Sequence, residues 1–166
     1  MLQVTWVLLG ALIVGAGVRS RTDLRVLRVG RLALAALYLG AGALVNAVFV
    51  VRGDDYADFA AGSYLPFVRE TWTSLVVPNH HLFIGGLLVA FEAAVGVLAL
   101  LGGRHAVLAL IGAIGFHVAL LSFGWGFFLW SLPMLVGLVL LLQAQLRELH
   151  GAEAAQPVRE LASSPR

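Results

Sequence analysis

A carboxylate and an imidazole stand within apolar runs of this sequence, where ionisable groups are costly. Glu92 interrupts LLVAFEAAVG, and His117 lies in the next apolar run, beyond the tight turn GGR at residues 102–104. Counted at about 1.5 Å per helical residue from the end near Leu101, Glu92 lies roughly 13 Å into a bilayer, so it must face other helices. Helices joined by so short a turn are antiparallel neighbours, which places Glu92 and His117 at matching depth. We expect the two to meet, and together they can hydrogen-bond a carbonyl group or relay its proton.

Three more side chains are predicted to share a chamber with this pair. Asn46 lies about 21 Å from the same side on the preceding helix. His81 falls on the helical face that carries Glu92, and Trp130 lies on one face of the last helix. We therefore predict a small polar chamber in the middle and outer half of the bundle, reached past His81 and serving ligand binding or proton relay. A purely structural Glu92 that fixes helix register is the alternative.

Metal binding is not predicted, although three histidines are candidates for it. His80 and His81 are adjacent at the start of a helix, where their side chains point about 100° apart and cannot chelate one ion. His81 and His117 differ in depth by roughly 12 Å, which disfavours a haem held by both. A haem b held by His117 alone stays as an alternative. The chain has no cysteine, which excludes disulfides and thiolate metal sites.

The elements that must position these residues are membrane helices. The composition is 60% hydrophobic and 12% charged, far outside the range of an ordinary soluble domain. A helix that crosses a bilayer needs about 20 mostly apolar residues. We therefore predict an all-α integral membrane protein in which residues 1–150 form one bundle of five transmembrane helices, placed near 2–18, 31–51, 80–101, 105–122 and 126–146.

The arginines set the expected orientation of these helices. Positively charged loops stay in the cytoplasm, and arginines collect after the first helix, at the GGR turn and beyond the last helix. Residues 52–79 carry several aspartates among aromatic side chains, the pattern of an external amphipathic segment that caps the bundle. We expect the N-terminus outside, the C-terminus inside, and a disordered cytoplasmic tail over residues 151–166.

Two stretches resemble the DoxX-like family of small bacterial integral membrane proteins. They are GRLALAALYLGAGALVNAVFV and LLVAFEAAVGVLALLGGRHAVLAL, and the resemblance covers about residues 30–146. The matching positions are an arginine and two glycines on the opening helix, then a glutamate, three glycines and a basic residue, here Arg31, Gly40, Gly42, Glu92, Gly96, Gly102, Gly103 and Arg104. The family often has a lysine where this chain has Asn46, and this chain adds an N-terminal helix. The resemblance implies a four-helix core in the bacterial cytoplasmic membrane, within oxidoreductase complexes that include quinone-linked ones.

The function predicted from these observations is that of a membrane subunit or accessory protein of a redox assembly. Its intramembrane pocket would take a quinone-like or other lipophilic small molecule. Haem b or metal binding, a small transporter and a structural scaffold are the alternatives, and the sequence leaves open whether the chain is an enzyme. The expected partners are the lipid bilayer and a membrane protein or a second copy of the chain. A net charge of +2, with its arginines at the ends of apolar segments, gives no indication of a nucleic-acid partner.

Overall fold

The described residues of the chain are helices and short turns, with no strand among residues 2–163. The structure is a computed structural model that describes the backbone of those residues and the side chains of 3–152 and 154. We name the helices in chain order as α1 (Leu2–Arg19), α2 (Val26–Val51), α3 (Pro66–Thr71), α4 (His81–Leu101), α5 (Gly103–Phe123) and α6 (Trp125–Ser163). Shorter helical turns at Ala57–Ala60, Trp72–Val76 and Val77–Asn79 complete the segment between α2 and α4.

Four of these helices are long and apolar enough to cross a membrane. They are α2, α4, α5 and α6, and the residues that qualify in α6 end at Ala152. α1 is apolar but shorter. Length and composition therefore agree with the predicted α-helical, multi-pass membrane protein. The helix α2 begins at Val26 rather than near residue 31, because its first turn packs Leu27 and Gly30 inside the bundle and the helix extends past its apolar stretch.

The end of the chain departs from the prediction. We expected residues 151–166 to be disordered, but the backbone is helical to Ser163, and residues 164–166 lie outside the described residues. The tail is polar, which suggested disorder, yet residues 152–163 include four alanines and two glutamates. These residues have high intrinsic helix propensity and let a helix already formed in the bundle continue.

Glycines bring α1 into close contact with α6. Gly10 packs on the indole of Trp130, and a Cβ atom built on Gly17 would lie 3.0 Å from the Cα atom of Gly137. The numbering of both pairs rises together, so the two helices run parallel. Ile13 of α1 is fully buried in the core that the other helices share. The additional N-terminal helix is therefore an integral part of the bundle.

Two of the long helices contain π-helical turns. These turns span Leu37–Leu44 in α2 and His81–Leu88 in α4. A π-helical turn holds more residues than an α-helical one, and such turns are frequent at functional sites. Gly96 of α4 packs against Leu39 of α2. The two helices that contain these π-helical turns, α2 and α4, therefore pack against each other.

A buried polar network ties one end of the bundle together. Arg31 Nη1 donates to Gln145 Oε1 at 3.2 Å, and Gln145 Nε2 donates to Glu148 Oε2 at 2.8 Å. Gln145 is fully buried. The guanidinium of Arg31 also lies against Gly102, where a Cβ atom would meet Nη1 at 2.8 Å. Arg31 therefore joins α2, α6 and the turn between α4 and α5.

Removing this guanidinium should destabilise the bundle. Arg31→Ala leaves the Gln145 side-chain carbonyl buried without its donor, at a cost of about 1–3 kcal/mol. Thermal unfolding of the purified protein in detergent measures this loss. Arg28→Ala is the matched control, because Arg28 lies on the same helix and is exposed. Equal effects of the two substitutions would contradict a structural role for the Arg31 network.

Candidate functional site

A cavity of about 370 Å³ lies inside the bundle at the end opposite the Arg31 network. It falls within the range of about 300–1,000 Å³ that is usual for small-molecule sites. Most of its wall is aliphatic or aromatic, with a few polar side chains. The wall is formed by Gln3, Trp6, Val7, Leu37, Tyr38, Ala41, Gly42, Asn46, Tyr56, Phe59, Trp72, Ile84, Leu88, Glu92, Phe116, His117, Leu120, Gly126, Phe127 and Trp130.

A chain of hydrogen bonds holds the carboxylate of Glu92. Asn46 Nδ2 donates to Glu92 Oε2 at 2.8 Å, and the Tyr56 hydroxyl donates to Asn46 Oδ1 at 2.9 Å. Because the tyrosine uses the amide oxygen as its acceptor, the amide nitrogen is directed at Glu92. Glu92 is 5% exposed. One residue each from α2, α4 and the segment between them therefore fixes the acid in the wall of the cavity.

Gly42 makes the space in which this carboxylate lies. A Cβ atom at position 42 would be 2.7 Å from Glu92 Oε1 and 2.9 Å from its carboxyl carbon. Both distances are too short for non-bonded atoms. Any side chain at position 42 would therefore displace the Glu92 carboxylate from its place.

An aromatic cap of Tyr56, Phe59 and Trp72 closes the cavity at its end. Trp72 Nε1 donates to the Tyr56 carbonyl at 2.8 Å, and the rings of Phe59 and Trp72 are stacked with centroids 5.0 Å apart. Partial burial, and then the nearby carboxylates of Asp54 and Glu92, raise the pKa of Tyr56 to about 12. Tyr56 therefore keeps its proton near neutral pH and remains the donor to Asn46.

His117 is held in one orientation in the wall of the cavity. Its Nδ1 atom is 2.9 Å from the Ala113 carbonyl oxygen and 3.4 Å from the Tyr38 hydroxyl. A carbonyl oxygen only accepts, so Nδ1 carries the ring proton and Nε2 carries the lone pair. The residue is 2% exposed. His117 therefore offers a hydrogen-bond acceptor, at a nitrogen for which the described residues provide no partner.

Four of the five predicted site residues share this cavity. Glu92, His117, Asn46 and Trp130 line it, whereas His81 does not. His81 is exposed, and its ring lies 4.2 Å from that of His80 between centroids. The π-helical turn His81–Leu88 changes the number of residues per turn, so a count at 3.6 residues from Glu92 does not give the face on which His81 lies.

The expected contact between Glu92 and His117 is also absent from the described residues. Each side chain hydrogen-bonds a different residue of α2, Asn46 for the acid and Tyr38 for the imidazole. Matching depth placed them in one cavity, but both side chains bond residues of α2 rather than each other. Tyr38 and Tyr56 were missed by sequence reasoning. Tyr38 lies eight residues before Asn46 across the π-helical turn Leu37–Leu44, so a count at 3.6 residues per turn does not place it on the face of Asn46.

No metal-ligand cluster is formed by the described part of the chain. Groups of three or more His, Cys, Asp or Glu side chains that could hold an ion are not found there. The candidates His80 and His81 lie outside the cavity wall, whereas His117 lies in it.

Comparisons of the chain with protein-family models, with curated proteins and with solved structures give no match. The function must therefore be argued from the contacts of this cavity.

Substitution of Gly42 should disturb Glu92 selectively. Gly42→Ala forces the carboxylate to move, at a cost of about 1–3 kcal/mol that is typical of overpacked sites. Gly40→Ala is the control, since position 40 lies in the same π-helical turn and a Cβ atom there would meet no heavy atom within 4 Å. Thermal unfolding in detergent compares the two. A loss of stability at position 40 as large as that at position 42 would refute the steric explanation.

Two double-mutant cycles should show that Glu92, and not His117, is the direct partner of Asn46. Asn46→Ala and Glu92→Ala remove the two ends of one hydrogen bond, so we expect them to be non-additive by about 0.5–3 kcal/mol. Asn46→Ala and His117→Ala share no hydrogen bond, and their effects on the free energy of unfolding should add within about 0.5 kcal/mol. Additivity in the first cycle would show that the amide does not hold the acid.

Proposed function

We propose that the chain is a membrane subunit or accessory protein of a redox assembly and binds a quinone-like molecule in its cavity. The observation that carries this proposal is an apolar cavity, inside a helical bundle, whose carboxylate and imidazole are held in fixed orientations by their own partners. Ligand sites usually combine apolar walls with a few placed polar groups. The resemblance to the DoxX-like family, with its quinone-linked members, supports the same proposal.

The proposal includes a membrane orientation. We infer five crossing helices, α1 included, in the bacterial cytoplasmic membrane, with the N-terminus outside. In support, Arg31 and Arg147 lie at one end of the bundle, where Arg147 donates to the backbone carbonyls of Ser20 and Arg21. The aspartates of residues 52–79 lie at the cavity end. Positive-inside orientation then puts the cavity in the outer half of the membrane.

The polar groups of the cavity suit a flat ring that carries two oxygens. Glu92 uses Oε2 for Asn46, and Oε1 has no hydrogen bond among the described residues. His117 offers Nε2 as an acceptor. A hydroxyl group of a reduced quinone-like ring can donate to either atom, and the aromatic wall packs on the faces of the ring. A carboxyl group and an imidazole at these places can also hold the protons that such a ring gains or loses.

Electrons must come from or go to another component. The chain has no cysteine, so it has no thiol pair of its own to oxidise. We therefore propose a partner subunit in the membrane that exchanges electrons with the molecule in the cavity. The role of this chain is to bind that molecule and to hold the protons that it gains or loses.

A haem b is the second candidate occupant. The observation in its favour is that His117 binds a backbone carbonyl through Nδ1, the usual arrangement of a histidine whose Nε2 ligates a metal. Among the described residues, His117 is the only histidine that lines the cavity. A cavity of about 370 Å³ also lies at the small end of the usual range of about 300–1,000 Å³. These two facts favour the smaller, quinone-like occupant.

Quinone binding to the purified protein tests the proposal. The probe is the reduced form of a dimethoxy-methyl-benzoquinone without a tail, whose hydroxyls can donate to His117 and Glu92, detected by quenching of tryptophan fluorescence, since Trp6, Trp72 and Trp130 line the cavity. We expect saturable binding that Glu92→Gln and His117→Ala each weaken about tenfold, equivalent to about 1.4 kcal/mol. Loss of one hydrogen bond to a charged or polar group has that size.

Two control variants match these substitutions. Glu70→Gln and His105→Ala change the same residue types at exposed positions outside the cavity, and both should bind like the wild type. Equal binding by all four variants, or no saturable binding by the wild type, would refute the proposed site. A Soret band in the absorption spectrum of the purified protein would favour the haem instead.

A further inference from the structure

The cavity reaches the surface of the bundle between the first turns of α1 and α6. Its exposed lining residues are Gln3, Trp6 and Val7 of α1 and Gly126 of α6, and we call these the mouth residues. Val7 is 60% exposed. A Cβ atom built on Gly126 would meet no heavy atom within 4 Å. The mouth residues therefore surround an opening in the side of the bundle.

The two helices close together directly beyond this opening. Gly10 packs on the ring of Trp130. About two helical turns further along α1, Gly17 packs on the backbone of Gly137. Any larger side chain at Gly10 or Gly17 would collide with α6. The opening is therefore confined to the ends of α1 and α6 that lie next to the aromatic cap.

The route from the aqueous side is covered. The aromatic cap lies over the end of the cavity, and Phe59 also packs on Phe127 with ring centroids 4.8 Å apart. The Ser63 hydroxyl donates to the Ser122 carbonyl at 2.6 Å, which fastens the cap segment to the end of α5. By contrast, the mouth is bordered by apolar side chains on the lateral face of the bundle. The structure thus favours entry from lipid over entry from water.

We propose that the cavity takes the ring of a lipid-soluble quinone-like molecule through this mouth, while its long apolar tail leaves between the first turns of α1 and α6 and lies in the surrounding lipid. This inference rests on the proposed function and narrows it to tailed, membrane-resident molecules. A cavity of about 370 Å³ encloses a substituted ring, and a tail leaves it at the mouth. The tail and the ring are then recognised by different residues.

Filling the mouth tests the inference. Val7→Phe and Gly126→Phe each place a ring where the tail would leave, from opposite sides of the opening. Leu8→Phe and Gly115→Phe are matched controls: Leu8 is also 60% exposed, a Cβ atom at Gly115 would meet no heavy atom within 4 Å, and neither residue lines the cavity. Two independent mouth variants keep the test valid if one of them does not fold, which thermal unfolding in detergent reveals.

The measurement compares one reduced benzoquinone ring, the hydroquinone, with and without a decyl tail, by tryptophan quenching in lipid nanodiscs. We expect both mouth variants to weaken binding of the tailed molecule at least about tenfold more than binding of the tail-less ring, a difference equivalent to about 1.4 kcal/mol. The control variants should bind both molecules like the wild type.

Other outcomes separate the inference from the proposed function. If the mouth variants weaken both molecules equally, weaken neither, or match the control variants, the lateral mouth is wrong, while binding of the tail-less ring still supports the proposed function. If the wild type binds neither molecule, the proposed function fails and this inference fails with it.

Discussion

Burial of the Glu92 carboxylate is the constraint on which the cavity end of the molecule depends. A carboxyl group inside an apolar bundle is costly unless hydrogen bonds replace those that water would make. Asn46 supplies one such bond and is itself oriented by Tyr56. Gly42 supplies the space. Since Tyr56 belongs to the segment between α2 and α4, the requirement of one acid extends from two membrane helices to the cap above them.

The two ends of the bundle solve the problem of buried polar groups in different ways. At the Arg31 end, the partners satisfy one another, so that Gln145 is fully buried and both ends of its amide are bonded. At the cavity end, satisfaction is incomplete, because His117 Nε2 has no partner among the described residues. A closed network rigidifies a bundle, whereas a partly satisfied one leaves hydrogen-bonding capacity for an occupant. The Arg31 end is therefore structural and the cavity end is the functional candidate.

The sequence predicted much of this arrangement, because depth in a membrane can be counted along a helix. Glu92, His117 and Asn46 were placed in one chamber on that basis, and Trp130 by its helix face; all four line one cavity. The count failed at His81, where a π-helical turn rotates the helix face. It also gave the depth of His117 without its direction, so the contact of this ring with Tyr38 was missed. Such contacts depend on the rotation of each helix about its axis, which hydropathy does not determine.

The same features that bury the acid also determine how the cavity can discriminate between occupants. Its aromatic and aliphatic wall favours any flat apolar molecule of suitable size, and so contributes affinity with little selectivity. Selectivity must come from the polar groups, because an occupant that leaves a buried donor or acceptor unpaired incurs about 1–3 kcal/mol. His117 Nε2 needs a hydrogen-bond donor from the occupant, because the ring proton on Nδ1 is donated to the Ala113 carbonyl oxygen. Glu92 Oε1 has no hydrogen bond among the described residues, so an occupant must present a polar atom to each of the two residues to satisfy the site.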